Sequence, residues 1–536
     1  MQKEAEATTE AGSGAEAGAG ALEAEGPAWR RRLAQLRASR RLQVALVYAS
    51  LLLDNVLLTV VVPILPDYLH QADYDFAMAA AAAPARPSPR AAGAEGPATV
   101  LLVQSEAAAA GAAPPNCSHG AADRRDLSLV APAAGGGAGE ALLSESSRVG
   151  LLLASKALVQ LLCNPLVGLL TSRVGSRVPQ LLGSASLLAA ALAFAVGQSF
   201  VALLMARSLQ GVASACVGVS GMSLVAELFP GAAARSRVMG AVLGAAATGV
   251  LLGYPLGGAL YQLSGGKAAP FLLLAALLLL LTVMQLACLS FKSQEHTHDA
   301  SQRWHHLLTD GRVLITAGAI LVSTSAMAIL EPCLPIWLMD TIKPQKWQLG
   351  TVFFPDSLGY LLGTNCFGLF AYRLGPWKVA VAALLLVGIS ALLIPTASAI
   401  SQLVIPHFGL GLGIGVTDAA LVPFLANLVD THHAAHYGSV YSLEQTAVSL
   451  AYFLGPFAGG ELVETIGFSW LMRIVGLLNI LYCPLLFILI FREARQTKKG
   501  SIVDSSTWLM NYQSNVNTSQ SKNFAYKQFT DASDSE

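Results

Sequence analysis

Charge is what this sequence has least of. Only 12% of its 536 residues are Asp, Glu, Lys or Arg, while 54% are hydrophobic. A soluble domain carries about 25% charged residues, so this deficit excludes a soluble globular protein of such length. Cysteine is sparse too. There are 7, with no CxxC pair and no His/Cys cluster, and no metal site is expected. Six of them (Cys163, Cys216, Cys288, Cys333, Cys366, Cys483) lie in or at the ends of apolar runs, where a free thiol packs as a small hydrophobe. Phosphate loop, nucleophile elbow and metal constellation are all missing, which argues against an enzyme and against a resident cofactor. The net charge of +0 says nothing about partners, and no nucleic-acid partner is expected. No cleavable leader is apparent: residues 1–28 are rich in Ala, Gly and Glu, and the first apolar run is long enough to span a bilayer.

Apolar runs are what the chain has instead. Each candidate membrane helix needs about 20 residues. Such runs recur near 43–66, 148–170, 178–199, 201–229, 237–262, 268–290, 313–337, 347–371, 377–396, 401–429, 439–462 and 467–491. The expectation is an all-α membrane protein with twelve transmembrane helices in two six-helix bundles. Its parts are an N-terminus (1–42), a first bundle (43–290) interrupted by a long loop (67–147), a linker (291–312), a second bundle (313–491) and a tail (492–536). The loop and the N-terminus cannot bury enough apolar surface to offset ordering entropy, so both are expected to be disordered.

Lys and Arg gather on one side of these spans. Arg30, Arg31, Arg32, Arg37, Arg40 and Arg41 precede the first. Arg173, Arg177, Arg235, Arg237, Lys292, Arg303, Arg373 and Lys378 fill alternate loops, and Arg492, Arg495, Lys498 and Lys499 open the tail. Opposite loops carry chiefly Lys267, Lys343 and Lys346. Both termini and the linker are therefore expected in the cytoplasm, and the long loop on the lumenal or extracellular side. That loop holds Asn116-Cys117-Ser118, an expected glycosylation site at Asn116. The other sequon, Asn517-Thr518-Ser519, falls on the cytoplasmic side.

The two halves repeat. Gly168-Leu169-Leu170-Thr171-Ser172-Arg173-Val174-Gly175 recurs 200 residues on as Gly368 to Gly375, and Gly253-Tyr254-Pro255-Leu256-Gly257-Gly258 recurs 202 residues on as Gly455 to Gly460. Near-equal offsets imply a duplicated six-helix unit, the parallel-repeat arrangement of many secondary transporters. Arg173, between Gly168 and Gly175, has the geometry of a latch onto a neighbouring helix's carbonyl end. The glycines Gly240, Gly244, Gly249, Gly253 and Gly257 let helices approach and slide; ordinary small-residue packing explains any one of them equally well.

Five charges interrupt the apolar spans: Asp54, Lys156, Glu331, Asp356 and Asp418. Each costs about 2.5–3.5 kcal/mol at a membrane centre, and such residues mark substrate or ion pathways. The set points to transport of a cation.

The motifs Leu52-Leu53-Asp54-Asn55, Thr59 to Ile64, Ala154-Ser155-Lys156-Ala157, Ala206-Arg207-Ser208-Leu209-Gln210-Gly211, Leu330-Glu331-Pro332, Leu334-Pro335-Ile336-Trp337 and Lys346-Trp347-Gln348-Leu349-Gly350 resemble those of the vesicular monoamine transporters of the major facilitator superfamily. The resemblance covers roughly residues 40–495 and implies a proton-coupled antiporter that loads monoamines into secretory or synaptic vesicles. It implies a monomer in the lipid bilayer, driven by the proton gradient without a cofactor. A vesicular acetylcholine transporter, a proton-driven organic-cation or drug exporter, and a transport-inactive relative are the rival readings.

The resemblance also implies roles. Asp54 is the amine's counter-ion, and Asn55 either hydrogen-bonds the substrate, orients Asp54 or packs. Glu331 contributes to amine binding. Asp418 is the protonation site, Lys156 holds an ion pair, and Arg207 belongs to a coupling motif or is structural. Tyr360, Tyr452 and Trp337 occupy pocket positions or pack. Departures matter as well. Gln445, with Glu444 beside it, stands where the family has an aspartate partner for Lys156, and Asp356 stands where the family has a small residue. One hypothesis is that Asp356 or Glu444 restores the missing charge. Leu153 and Val448 replace aromatic pocket residues. The family's lumenal disulfide has one candidate half here, Cys117, and Cys333 is a partner only if it reaches the lumenal edge.

Overall fold

The computed structural model describes residues 35, 37, 39–82, 137–289, 307–344, 351–432 and 437–488. Residues 70–147 form one compact unit, of which the helical ends 70–82 and 137–147 are described; residues 1–69 and 148–536 form the other. Twelve long helices occur among the described residues, and no strand. In chain order they are α1 (Arg40–Ala82), α2 (Gly137–Val174), α3 (Arg177–Val196), α4 (Phe200–Leu228), α5 (Ala232–Ser264), α6 (Ala268–Cys288), α7 (Gly311–Thr341), α8 (Phe354–Leu374), α9 (Pro376–Leu393), α10 (Ile400–His432), α11 (Tyr437–Ile466) and α12 (Phe468–Ile488).

Ten of these are long and apolar enough to cross a bilayer. The other two, α8 and α11, stand where spans were expected but are diluted by polar residues, among them Asp356, Thr364 and Asn365 on α8 and Glu444, Gln445 and Thr446 on α11. The ends of the long loop also differ from expectation. Helix α1 continues to Ala82 and α2 begins at Gly137, because alanine-rich sequence favours helix over coil. Residues 83–136, with Asn116 and Cys117, lie outside the described residues, as do Trp347, Gln348, residues 1–34 and residues 489–536.

The duplication is visible in the backbone. Four glycines have positive φ: Gly175 (81°) and Gly375 (100°), Gly265 (64°) and Gly467 (82°). They close the same two turns in each half, in a left-handed conformation that only glycine adopts without strain. Aromatic contacts knit each bundle, Phe194 stacking on Phe271 at 5.2 Å between α3 and α6, and Trp377 meeting Phe424 at 4.0 Å between α9 and α10. Gln285 of α6 donates to Ser50 of α1 at 2.8 Å. Large apolar side chains such as Leu279, Leu280, Leu481 and Phe457 remain exposed, as suits a surface solvated by lipid.

Small residues set the helix spacings. A methyl group at Gly249 would sit 2.7 Å from the Asn55 Cβ on α1, and one at Gly363 would sit 2.8 Å from the Leu412 carbonyl on α10. At the α5–α6 turn the Lys267 ammonium donates to the Gly197 carbonyl, where α3 ends. The helix dipole favours a cation there, although burial pulls the ammonium down to about 8.

Gly363→Ala is expected to lower stability by about 1–3 kcal/mol, the usual cost of overpacking. Gly258→Ala, where a methyl meets nothing within 4 Å, is the neutral comparison. Thermal unfolding of the purified protein separates the two; equal melting temperatures contradict the packing account.

Candidate functional site

The first cluster of interior charge belongs to the N-terminal bundle. Asp54, on α1, is 5% exposed and accepts a 2.7 Å hydrogen bond from Ser214 Oγ of α4. The charges acting on Lys156 of α2 are those of Asp54, Arg207 and Glu331; those acting on Arg207 of α4 are Asp54 and Glu331. Arg207 is 2% exposed and donates from Nη1 to Gln210 Oε1 at 2.7 Å. Gly211, one residue further, lets α2 press its Lys156 backbone against α4. Gln445 offers Lys156 no charge; the acids whose charge reaches Lys156 are Asp54 and Glu331, neither within ion-pair distance of it. Gln445 accepts from Gln160 Nε2 at 3.4 Å and donates to Glu444 at 3.1 Å, so it joins α2 to α11 without charge.

The C-terminal bundle brings four acids to the interior among the described residues. Glu331 of α7 accepts a 3.2 Å hydrogen bond from Tyr254 of α5, a contact between the two bundles. Pro332 follows it and frees the carbonyl of Ala328, against which Gly455 of α11 packs. Tyr360 of α8 donates to Asp418 Oδ2 at 2.9 Å, while Asp418 Oδ1 has no partner. Glu444 is 3% exposed and faces the Asp418 charge. Asp356 faces Glu331, and Tyr452 is surrounded by Glu331, Asp356 and Asp418. Five carboxyl groups thus share an interior with two cations, Lys156 and Arg207.

Other expected residues fall elsewhere. Asn55 donates at 2.8 Å to its own helix, at the Leu51 carbonyl, rather than to Asp54. Trp337 stacks on Phe468 at 4.9 Å in the core of the second bundle. Cys333 is a free thiol, 2% exposed and two turns short of the end of α7, so the condition for a bridge to Cys117 is not met. Arg173 is exposed at the end of α2 with no hydrogen bond or ion pair, so the expected latch is not formed there. Gly168 serves packing instead, its carbonyl lying 3.3 Å from where a methyl at Gly438 of α11 would sit.

The latch is elsewhere. Arg235, in the first turn of α5, is 1% exposed and pairs with Asp430 Oδ2 of α10 at 2.6 Å. It also donates to Asn427 and to the Tyr437 hydroxyl, and its guanidinium lies 5.8 Å from the Tyr437 ring. Tyr437 donates to Asp430 at 2.6 Å, and one turn deeper Tyr441 reaches Met239 Sδ at 3.3 Å. Beside this network Gly240 packs on Thr364 and Gly368 on Ser236, bringing α5 and α8 into backbone contact. The two bundles are shut at the Arg235 end. Read from sequence, Arg235 counts only toward orientation; its partners come from helix ends nearly 200 residues away, and no local pattern joins them.

Arg235→Ala is expected to loosen this closure. A cysteine placed at buried Thr364 should then label with a thiol reagent about tenfold faster, the effect of losing roughly 1.4 kcal/mol from the closed state. Unchanged labelling contradicts the latch.

The Major Facilitator Superfamily model matches residues 126–435 and 316–509 of this sequence. The chain is similar to the synaptic vesicular amine transporter of Bos taurus, 40% identical over 503 residues that cover 92% of this chain and 96% of that one. It is also similar to the chromaffin granule amine transporter of Homo sapiens, 38% identical with 87% and 91% of the two chains covered. Among solved structures, the human organic anion transporter MFSD10 (TETRAN) superposes with a TM-score of 0.60 at 18% identity, covering 83% of this chain and 98% of that one; this likeness shows the fold. Paired six-helix repeats, a charged interior and relatives of that identity over most of its length agree: the chain belongs to the major facilitator superfamily and, within it, to the vesicular amine transporter family.

Proposed function

We propose that the chain is a proton-coupled antiporter that carries cytosolic monoamines (serotonin, dopamine, noradrenaline, adrenaline, histamine) into acidic secretory or synaptic vesicles by alternating access. One observation carries the reading: the interior holds Asp54, Asp356, Asp418 and Glu444 buried and Glu331 half-buried, against buried Arg207 and half-buried Lys156. An unpaired carboxylate in a low-dielectric interior is costly, so the excess acids need protons or an organic cation as counter-charge. Occupancy by one disfavours the other, and that competition couples the two fluxes.

Roles follow from position. Asp54, held by Ser214, is the counter-ion for the ammonium group, with Glu331 opposite it and Tyr254 anchoring Glu331. Asp418, with one oxygen on Tyr360 and the other free, is the proton carrier. Lys156 and Arg207 hold Asp54 in place when no amine is bound. The Arg235 end carries the excess of Lys and Arg, so we read it as cytoplasmic; the structure then represents the state closed to the cytoplasm. Each unit of pH difference supplies about 1.4 kcal/mol per proton. A lumen-positive potential adds roughly 2.3 kcal/mol per 100 mV for each net charge moved.

Labelled-serotonin uptake into acidified vesicles, with and without a proton ionophore, tests the reading. Uptake is expected to collapse with the ionophore, and choline-ester uptake in the same vesicles is expected to be absent. Asp54→Asn and Asp418→Asn are each expected to reduce gradient-driven accumulation by more than about tenfold. Normal accumulation in either variant contradicts its assigned role.

A further inference from the structure

At the end of the second bundle remote from Arg235, two buried groups on neighbouring helices lack partners. His407, in the second turn of α10, is 0% exposed, and neither Nδ1 nor Nε2 has a hydrogen-bond partner. Its ring meets the Phe353 ring at 6.0 Å. Asp356, in the first turn of α8, is 6% exposed, and its Oδ1 has no partner either. An unpartnered buried polar atom is rare and costs stability, so each needs a reason.

The helix seam relates them. Helices α8 and α10 run in the same direction, with Gly359 against Phe408, Asp356 against Gly411 and Tyr360 against Gly415. A methyl at Gly411 would overlap the Asp356 carbonyl and lie 2.8 Å from Oδ1. His407 is four residues before Gly411 and so on the same face of α10; Phe353, the residue just before α8, is three before Asp356. Helical side chains lean toward the N-terminus, which carries Asp356 from the level of Gly411 toward that of His407. A carboxyl and an imidazole thus share one glycine-tightened seam, one turn apart.

We propose that Asp356 and His407 form a single proton-binding site, distinct from Asp418, that takes up a proton from the compartment facing this end. The inference rests on the proton-coupled reading above. The bookkeeping is simple. Carboxylate plus neutral imidazole carries one negative charge. One added proton gives a carboxylate–imidazolium pair of zero net charge, with no other bond made or broken. The groups facing the pair are Glu331 from α7, whose charge acts on Asp356, and Tyr452 from α11, on which Asp356 acts; among the described residues α5 contributes Tyr254, bound to Glu331. Against α10 nearby, α9 presents the hydroxyl of Ser390 at Gly409.

The test is proton uptake by the purified full-length protein, read with an indicator dye on acidification through the range where histidine titrates, about pH 8 to 5. Wild type is expected to bind about one proton more than His407→Asn or Asp356→Asn, and the double variant no fewer than either single, because the pair shares one proton. Wild-type uptake in either single variant, or losses that add in the double, overturns the proposal. His407→Gln replaces His407→Asn if that variant does not fold. Reconstituted protein supplies a second readout: the slope of log amine accumulation against imposed pH difference should fall by about one in His407→Asn, whereas Asp418→Asn abolishes accumulation. An unchanged slope in His407→Asn overturns the proposal. A wild type that shows the proton difference but no amine uptake supports the site and removes the carrier reading instead.

Discussion

Everything in this molecule turns on a shortage of positive charge where negative charge is buried. Two cations face five carboxyl groups in an interior walled by leucine, valine and alanine. Burial strips much of the hydration from the surplus, and among the described residues the interior does not supply enough Lys or Arg to balance it. The missing charge has to come from outside as a proton or a protonated amine. The asymmetry between bundles gives this a direction in space. Lys156 and Arg207 sit with Asp54 in the first bundle, and among the described residues the second contributes four acids, tyrosine hydroxyls and His407. A bound cation therefore belongs between them, where it draws on both.

Mechanical freedom comes from a different set of residues. Glycine, serine and threonine line the contacts between α5 and α8 and between α2 and α11, so the bundles meet backbone to backbone and can part without tearing large side chains out of holes. What keeps them together in this conformation is polar and local: Arg235 with Asp430, Asn427 and Tyr437, backed by Tyr441 on Met239. A buried arginine held by partners from the opposite bundle has two well-defined states, paired or separated. That is the bistable element that alternating access requires.

Much of the architecture is legible in the residues. Apolar run lengths locate the helices, and offsets of 200 and 202 residues expose the duplication that reappears as matched left-handed glycines. The extensions of α1 and α2 into the long loop were harder to read, because alanine-rich sequence suits helix and coil composition rules alike. Interior charges announce themselves by their cost in a membrane, so Asp54, Lys156, Glu331, Asp356 and Asp418 stand out. Their partners do not. Ser214 and Tyr254 are ordinary residues in ordinary spans, and only packing brings them to Asp54 and Glu331. Arg235 and His407 are similarly silent: one looks like a topological charge, the other like a lone core histidine. Gln445 is legible as a lost acid, but the hydrogen bonds it makes instead, with Gln160 and Glu444, are not.

The central claim is that protons and amines compete for the same surplus acids. It is tested most directly by adding serotonin to purified protein in weakly buffered detergent solution and recording proton release. The account predicts release of about one proton or more per amine bound, with the signal lost in Asp418→Asn. Saturable amine binding with no proton released contradicts it.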